Sequence, residues 1–317
     1  MRVLVLHTLP AETVAAERFG EFDLNSAAQS VASALPEAKA IGVRGDAIEV
    51  MNVLREHRPA VVFNVCEAPL GRADREAHLA ALLEWLGVRF TGSGSETLAL
   101  CRRKDRVNAV LALAGVPVPR PDVFPCIVKP ADEDGSAGIS ADSYCEDAEA
   151  VERAKARLAG PAIIQEFMHG REFAVYLWGR AEPEHACIYE TCFKNDLRLN
   201  TYAAKWDPSS ADFANSPWTY EPALERSLRE SILGVARAVW RVVGARGYMS
   251  VDVRLNGAGV PHVLDVNPNP ELAPDGMHGA VEAAGWTWQR FVRQQNLMHG
   301  ATALRDAFAE QLGHDAG

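Results

Sequence analysis

Two segments in the last third of the chain, GYMSVDVRL (247–255) and VPHVLDVN (260–267), hold the residues best suited to chemistry. Both read as strands, and the NGAG between them is a turn sequence, so together they predict a hairpin. Asp265 and Asn267 are two apart, and their side chains leave the same side of the strand. A loop of two or four residues within Asn256–Gly259 sets Leu255 opposite Val260. Asp252 then faces Val263 and lies diagonal to Asp265, roughly 7–8 Å away between Cα atoms. Three hard oxygen donors on one face, none with a cationic partner nearby in sequence, would repel one another unless a divalent cation sits among them. Oxygen-only ligation suits Mg²⁺ or Mn²⁺ rather than zinc. The bland reading of the same residues is two solvated carboxylates and a turn-forming Asn before Pro268.

A second set of residues suits phosphate. The chain contains neither GxxxxGK[ST] nor GxGxxG, so a Walker-type loop and a dinucleotide fingerprint are both excluded. Instead Lys129 ends the strand-like CIVKP and is followed by Glu-Asp-Gly-Ser-Ala-Gly (133–138), whose backbone N–H groups could meet phosphate oxygens. Such loops are also common as plain hairpin turns. Lysine is scarce: the chain has 26 arginines and six lysines. Lys104, Lys129 and Lys205 nonetheless stand in apolar or small-residue settings, where a compact ammonium serves a phosphate cluster better than a solvated surface.

The elements that must position these residues follow from periodicity. RVLVL, AVVFNV and VRFT near the N-terminus read as short buried strands. Between the last two, Leu79, Leu82, Leu83 and Leu86 form one helical stripe that Gly87 ends. Alternating strands and helices imply a parallel sheet with crossovers. A small α+β unit follows, with strands CIVKP, AIIQEF and EFAVYLW and a helix over Glu146–Leu158. Next come the strand ACIYETC, a polar Pro-containing loop from Asp207 to Pro217, and a long helix through Leu224, Leu228, Ile232, Val235 and Val239. The domain boundaries expected are 1–92, 93–180 and 181–317.

Bulk properties narrow the partners. At 317 residues, 48% hydrophobic and 23% charged, the chain is an ordinary globular one with a sizeable core. A net charge of −10 argues against nucleic acid and anionic membranes. MRVLVLH reads as a first strand rather than a signal peptide, and no apolar run approaches a membrane span. The six cysteines form no CxxC pair, and their apolar company implies reduced core thiols in a cytoplasmic protein.

With these residues in hand, the chain resembles the D-alanine–D-alanine ligase branch of the ATP-grasp superfamily. The resemblance runs from about Val61 to Arg293 through LLEWLGVRFTGSG (82–94), the Lys104 helix to AGVPVP, CIVKPADEDGSAGIS, AIIQEFMHGREFAV (162–175), TYAAKW (201–206), GYMSVDV (247–253) and VLDVNPNP (263–270). It implies a three-domain α/β architecture, with an N-terminal parallel αβα unit and two α+β domains sandwiching ATP. It also implies a homodimer, and an ADP-forming reaction that makes an amide through an acyl phosphate. Lys104 and Lys129 would hold ATP phosphates, with Gly135, Ser136 and Gly138 in the loop folded over them. Gln165, Glu166 and Met168 would meet the adenine, and Glu172 the ribose. Lys205 would contact the γ-phosphate, with Trp206 in the loop that follows. Asp252, Asp265 and Asn267 would bind two Mg²⁺, with Mn²⁺ as an alternative. The Asp207–Pro217 loop, with Phe213, is the candidate lid.

The substrate end departs from that family. Ser250 stands where the D-alanine ligases carry an arginine that stabilises the tetrahedral intermediate, and the loop after Asn267 is Pro268-Asn269-Pro270-Glu271-Leu272-Ala273-Pro274. Losing one oxyanion donor typically costs about 10²–10³ in rate. The expectation is therefore an amino-acid-like carboxylate and amine other than two D-alanines. A true D-alanine–D-alanine ligase, an ATP-binding protein without ligase activity and a kinase are the competing readings. Lys205, Ser250 and Arg72 are the candidates for the reacting centre. Arg72 and Arg75 could clamp a substrate carboxylate, or simply cap a surface loop. Glu17 or Glu21, with Asn269 and Glu271, would meet the amine substrate.

Overall fold

The computed structural model describes residues 2–9, 24–121, 123–274 and 276–300. The chain begins with β1 (Val3–Thr8), α1 (Leu24–Ala34), β2 (Ala38–Val43), α2 (Ala47–His57), β3 (Val61–Val65) and α3 (Arg75–Trp85). Its three strands are parallel in the order β2-β1-β3. β1 and β3 are buried along their whole length, as continuous apolar runs require. VRFT, read as a strand, makes only one parallel bridge, Phe90 to Val62. β2 escaped the sequence reading because only Val43 is buried; an edge strand of this kind carries little apolar pattern.

Helices α4 (Ser95–Cys101) and α5 (Lys104–Leu113) lead to β4 (Cys126–Pro130), β5 (Tyr144–Cys145), α6 (Ala148–Ala156) and β6 (Ala162–Glu166). These strands form a small antiparallel sheet, β5-β4-β6, with Val128 packed on Val151 and Ala154 of α6. The remaining elements are β7 (Glu172–Gly179), β8 (His185–Thr191), α7 (Tyr202–Trp206), α8 (Ala211–Ala214), β9 (Trp218–Tyr220), α9 (Arg226–Val243), β10 (Gly247–Leu255), β11 (Pro261–Asn267), α10 (Met277–Ala283) and α11 (Trp288–Gly300). Five of them make an antiparallel sheet in the order β11-β10-β7-β8-β9. β7 falls within the stretch 93–180 but is the middle strand of this larger sheet.

One face of that sheet is a core. Phe173, Val175 and Leu177 of β7, with Met249, Val251 and Val253 of β10, meet Ile232, Ala236, Val239 and Val243 of α9. Each fully buried large aliphatic or aromatic side chain contributes about 1.5–3 kcal/mol. Because strand side chains alternate, the same packing commits Glu172, Ala174, Tyr176, Ser250, Asp252 and Arg254 to the opposite face. That opposite face carries the chemistry. α10 and α11 join the N-terminal unit to the large sheet through Met277, Val281, Trp288 and Phe291 packed with Val3, Val5 and Phe63.

All six cysteines are free, and five of them are buried. Among the described residues no helix is long and apolar enough to cross a membrane.

Candidate active site

The polar face of the large sheet is ordered in rows across the strands. One row runs Asn267–Ser250–Tyr176, the next Asp265–Asp252–Ala174–Tyr189, and the third Arg254–Glu172–Thr191. Ala174 leaves room between Asp252 and Tyr189, where a larger side chain would fill the middle of the face. The pairing differs from the sequence reading in one respect: Asp252 lies directly opposite Asp265, not diagonal to it. The turn is one residue longer than expected, so Leu255 pairs with Pro261, and Asn256 Oδ1 accepts from the N–H groups of Ala258 and Val260. A bulge then inserts Leu264 between Val263 and Asp265, opposite the Asp252–Val253 step. It allows Val263 to enter the core while Asp265 and Asn267 face the cavity.

The bulge also prepares a carbonyl. Lys129 Nζ, at the end of β4, donates to Leu264 O at 2.9 Å and so ties the small sheet to the large one. Burial brings its ammonium down to about 8, against the attraction of Asp265. Lys104 opens α5, and its Nζ donates to both oxygens of Asp265 at 2.8 and 2.6 Å and to Asp134 at 3.0 Å. Burial works against the charges of this pair, but the mutual attraction outweighs it: Lys104 is raised and Asp265 is held below the usual carboxylate range. Among the described residues Asp252 has no such partner. Burial raises its carboxyl to about 6, with Lys205 opposing and Asp265 and Glu172 adding to the rise.

A roof closes over this face. Gly135, Ser136 and Gly138 all have positive φ, and a Cβ on Gly138 would approach Pro130 Cγ to 2.8 Å, so only glycine fits there. Ser136 Oγ donates to Asn200 O at 2.7 Å, and the Trp206 indole donates to Gly135 O at 2.8 Å. Loop 133–139 is thereby pinned to α7, the helix that carries Lys205. The expected lid, Asp207–Pro217, contains the short α8, where Ser210 caps the N–H of Phe213.

The adenine candidates lie along β6 and just after it. Gln165 is 1% exposed and neither amide atom has a partner among the described residues, which is costly unless a ligand or water supplies one. Met168 lines the cavity, while the Glu166 carboxylate is held by Arg120 through two bonds of 2.8 and 2.9 Å. Glu172 receives Arg254 Nη1 at 3.0 Å. Arg254 was not singled out from the sequence. It is 6% exposed, donates also to Gly170 O and Arg198 O, and stacks over Phe167 and Phe193. Its place in the alternation beside Asp252 was the available signal.

These groups line one cavity of about 670 Å³. It holds Lys104, Lys129, Lys205, Asp252, Asp265 and Asn267, and at its inner end Ser250, Asn269 and Glu271. Glu67 lines that end as well, and Glu76 accepts a hydrogen bond there from Asn269 Nδ2. Neither glutamate was foreseen, because it is the fold that brings the end of β3 and the start of α3 to the loop after β11. Arg72 is instead exposed and paired with Asp74, and neither it nor Arg75 is among the cavity's lining residues. Glu17 and Glu21 lie outside the described residues.

Known proteins share this organisation. The family profile described as the D-ala D-ala ligase C-terminus matches residues 118–295. An uncharacterized protein of Sinorhizobium fredii, y4sG, is 30% identical over 241 residues, covering 72% of this chain and 69% of that protein. A D-alanine–D-alanine ligase of Desulforudis audaxviator is 27% identical over 263 residues, covering 77% and 82%. The structure of a D-alanine–D-alanine ligase from Bacillus anthracis complexed with ATP superposes with a TM-score of 0.72 at 14% identity, covering 95% of this chain and 97% of that one. The chain belongs to the ATP-grasp carboxylate–amine ligases, in their D-alanine–D-alanine ligase-like branch.

Proposed function

We propose that this protein uses ATP to join a carboxylate to an amine, with ADP and phosphate as by-products, on substrates other than two D-alanines. The observation that carries this reading is the oxygen face Asp252–Asp265–Asn267 lying beside Lys104 and Lys129, under a roof that holds Lys205. The donor set suits Mg²⁺: two carboxylates and an amide oxygen, all hard ligands, on one wall. Among the described residues no three His, Cys, Asp or Glu side chains converge, so the third protein donor would be the Asn267 amide. Mg²⁺ held there would neutralise charge on the transferring phosphoryl group.

In the first step a donor carboxylate oxygen attacks the γ-phosphorus, the bond to ADP breaks and an acyl phosphate forms. In the second the amine nitrogen attacks the acyl carbon, phosphate leaves and the nitrogen loses a proton. Lys104, Lys129 and Lys205 would cancel the anion that builds on the phosphate, which is most of what a protein does for such a transfer. The Glu172 carboxylate, fixed by Arg254, would receive the ribose hydroxyls. The unpaired Gln165 amide fits a base edge. Trp206 and its bond to Gly135 would exclude water from the acyl phosphate.

Ser250 and the Asn269–Glu271 loop support a substrate pair other than D-alanine, since among the described residues no arginine lines the inner end of the cavity. The test is an ADP-release screen over pairs of amino acids and small carboxylates, with mass detection of the amide. A D-alanyl-D-alanine product would make the chain a D-alanine ligase with an altered loop. No ADP with any pair would sink the ligase reading.

A further inference from the structure

The inner end of the cavity is anionic, and two of its hydroxyls have no partner among the described residues. Ser250 is 8% exposed, lines the cavity, and its hydroxyl has no hydrogen-bond partner among the described residues. The Tyr176 hydroxyl, next to it in the same row, has none either. Among the described residues Glu67 has neither a hydrogen bond nor an ion pair. The charged groups around it are Glu76, Glu271 and Asp134, so that burial and like charge together push its carboxyl well up. Glu76, behind it, is bonded to the neutral Asn269 amide, and burial lifts it to about 7. The cations on this side are committed elsewhere: Lys104 to Asp265 and Asp134, and Arg102, which draws Glu76 down, to Asp134 and Glu133. A carboxylate entering here would add another anion to buried acids, whereas a cation would supply what they lack.

We propose that this end receives a positively charged group of the amine substrate, an alkylammonium or guanidinium with no carboxylate beside it, paired with Glu67 and flanked by the Ser250 and Tyr176 hydroxyls. The inference rests on the ligase reading for the word substrate, but the subsite itself can be tested by binding alone. The nucleophilic nitrogen must be neutral when it attacks, so the cation held by Glu67 is a second basic centre. The acceptor is thus a diamine or guanidino-amine in class.

The experiment is calorimetric titration of the full-length protein, loaded with Mg²⁺ and a non-hydrolysable ATP analogue, with 1,4-diaminobutane and with 4-aminobutanoate. The two probes share a chain length and differ in the charge of one terminus. The diamine should bind at least about tenfold more tightly, and Glu67→Gln should erase that preference while leaving the affinity for the ATP analogue unchanged. Equal or tighter binding of 4-aminobutanoate, no binding of the diamine, or a preference that survives Glu67→Gln overturns the subsite. Should Glu67→Gln not fold, Glu67→Asp serves in its place, and the wild-type contrast decides on its own. An ADP-release screen separates the two proposals. Release stimulated by carboxylate-bearing acceptors and not by diamines removes the cation subsite and keeps the ligase. Diamine binding with no ADP release from any pair does the reverse.

Discussion

The two ends of the cavity follow opposite electrostatic plans. At the phosphate end two lysines meet their partners within the protein: Lys104 spans Asp265 and Asp134, and Lys129 donates to the Leu264 carbonyl. At the inner end Glu67 and Glu76 face each other's charge with one neutral amide between them and the solvent of the cavity. A phosphate end prepared in advance needs little reorganisation when a polyanion arrives. An inner end left in debt of charge is selective, because only a complementary ligand relieves it.

Removing the centre of the prepared end should have the largest effect. Asp265→Ala strands Lys104 and deletes one donor of the oxygen face, so ADP release in a coupled assay should fall about 10³-fold or more. Full turnover in that variant would end the metal-face assignment. Lys129→Ala comes next, with a loss in kcat of about 10²–10³. Thermal unfolding should also report whether the two sheets loosen without it.

The inner end offers a test of opposite sign. The folded protein holds the Glu76 proton up to about 7, against 4.5 in an unfolded chain. Its penalty is therefore absent at acid pH, grows as pH rises through that window and is complete above it. Glu76→Gln should stabilise the protein by about 1–3 kcal/mol at pH 8 and by nothing near pH 4, read from urea midpoints. A stability difference that is flat with pH would show that Glu76 is not held protonated. Arg254→Lys keeps the charge but loses the fork, and should raise the KM for ATP about tenfold with kcat little changed. Trp206→Phe, which cuts one neutral hydrogen bond in the roof, should cost only about fivefold in turnover.

How much of this the sequence revealed depends on the range of the interaction. Asp265 and Asn267 share a face because of a two-residue spacing, and the three lysines stood out against an arginine-rich background; both are local facts. The core of β7, β10 and α9 was legible for the same reason. The opposition of Asp252 to Asp265 was not, since it needs a longer turn and a bulge that no spacing announces. Arg254 and Glu76 gain their meaning from partners 82 and 193 residues away, Glu172 and Asn269, and Glu67 from a cavity wall shared with the loop after β11. Arg72 failed the other way: the nearby Asp74 satisfies it on the surface.

The bulge at Leu264 has a consequence for how this hairpin tolerates change. It is a phase slip: residues before it keep one alternation and residues after it keep the other. Substitutions at Val263 or Asp265 alter one side chain each. Deleting Leu264 would remove the slip: Val263 and Asp265 become neighbours in plain alternation and keep their faces, and what is lost is the carbonyl that receives Lys129. The extra residue in this hairpin thus serves the tie between the two sheets rather than the sorting of side chains to their faces.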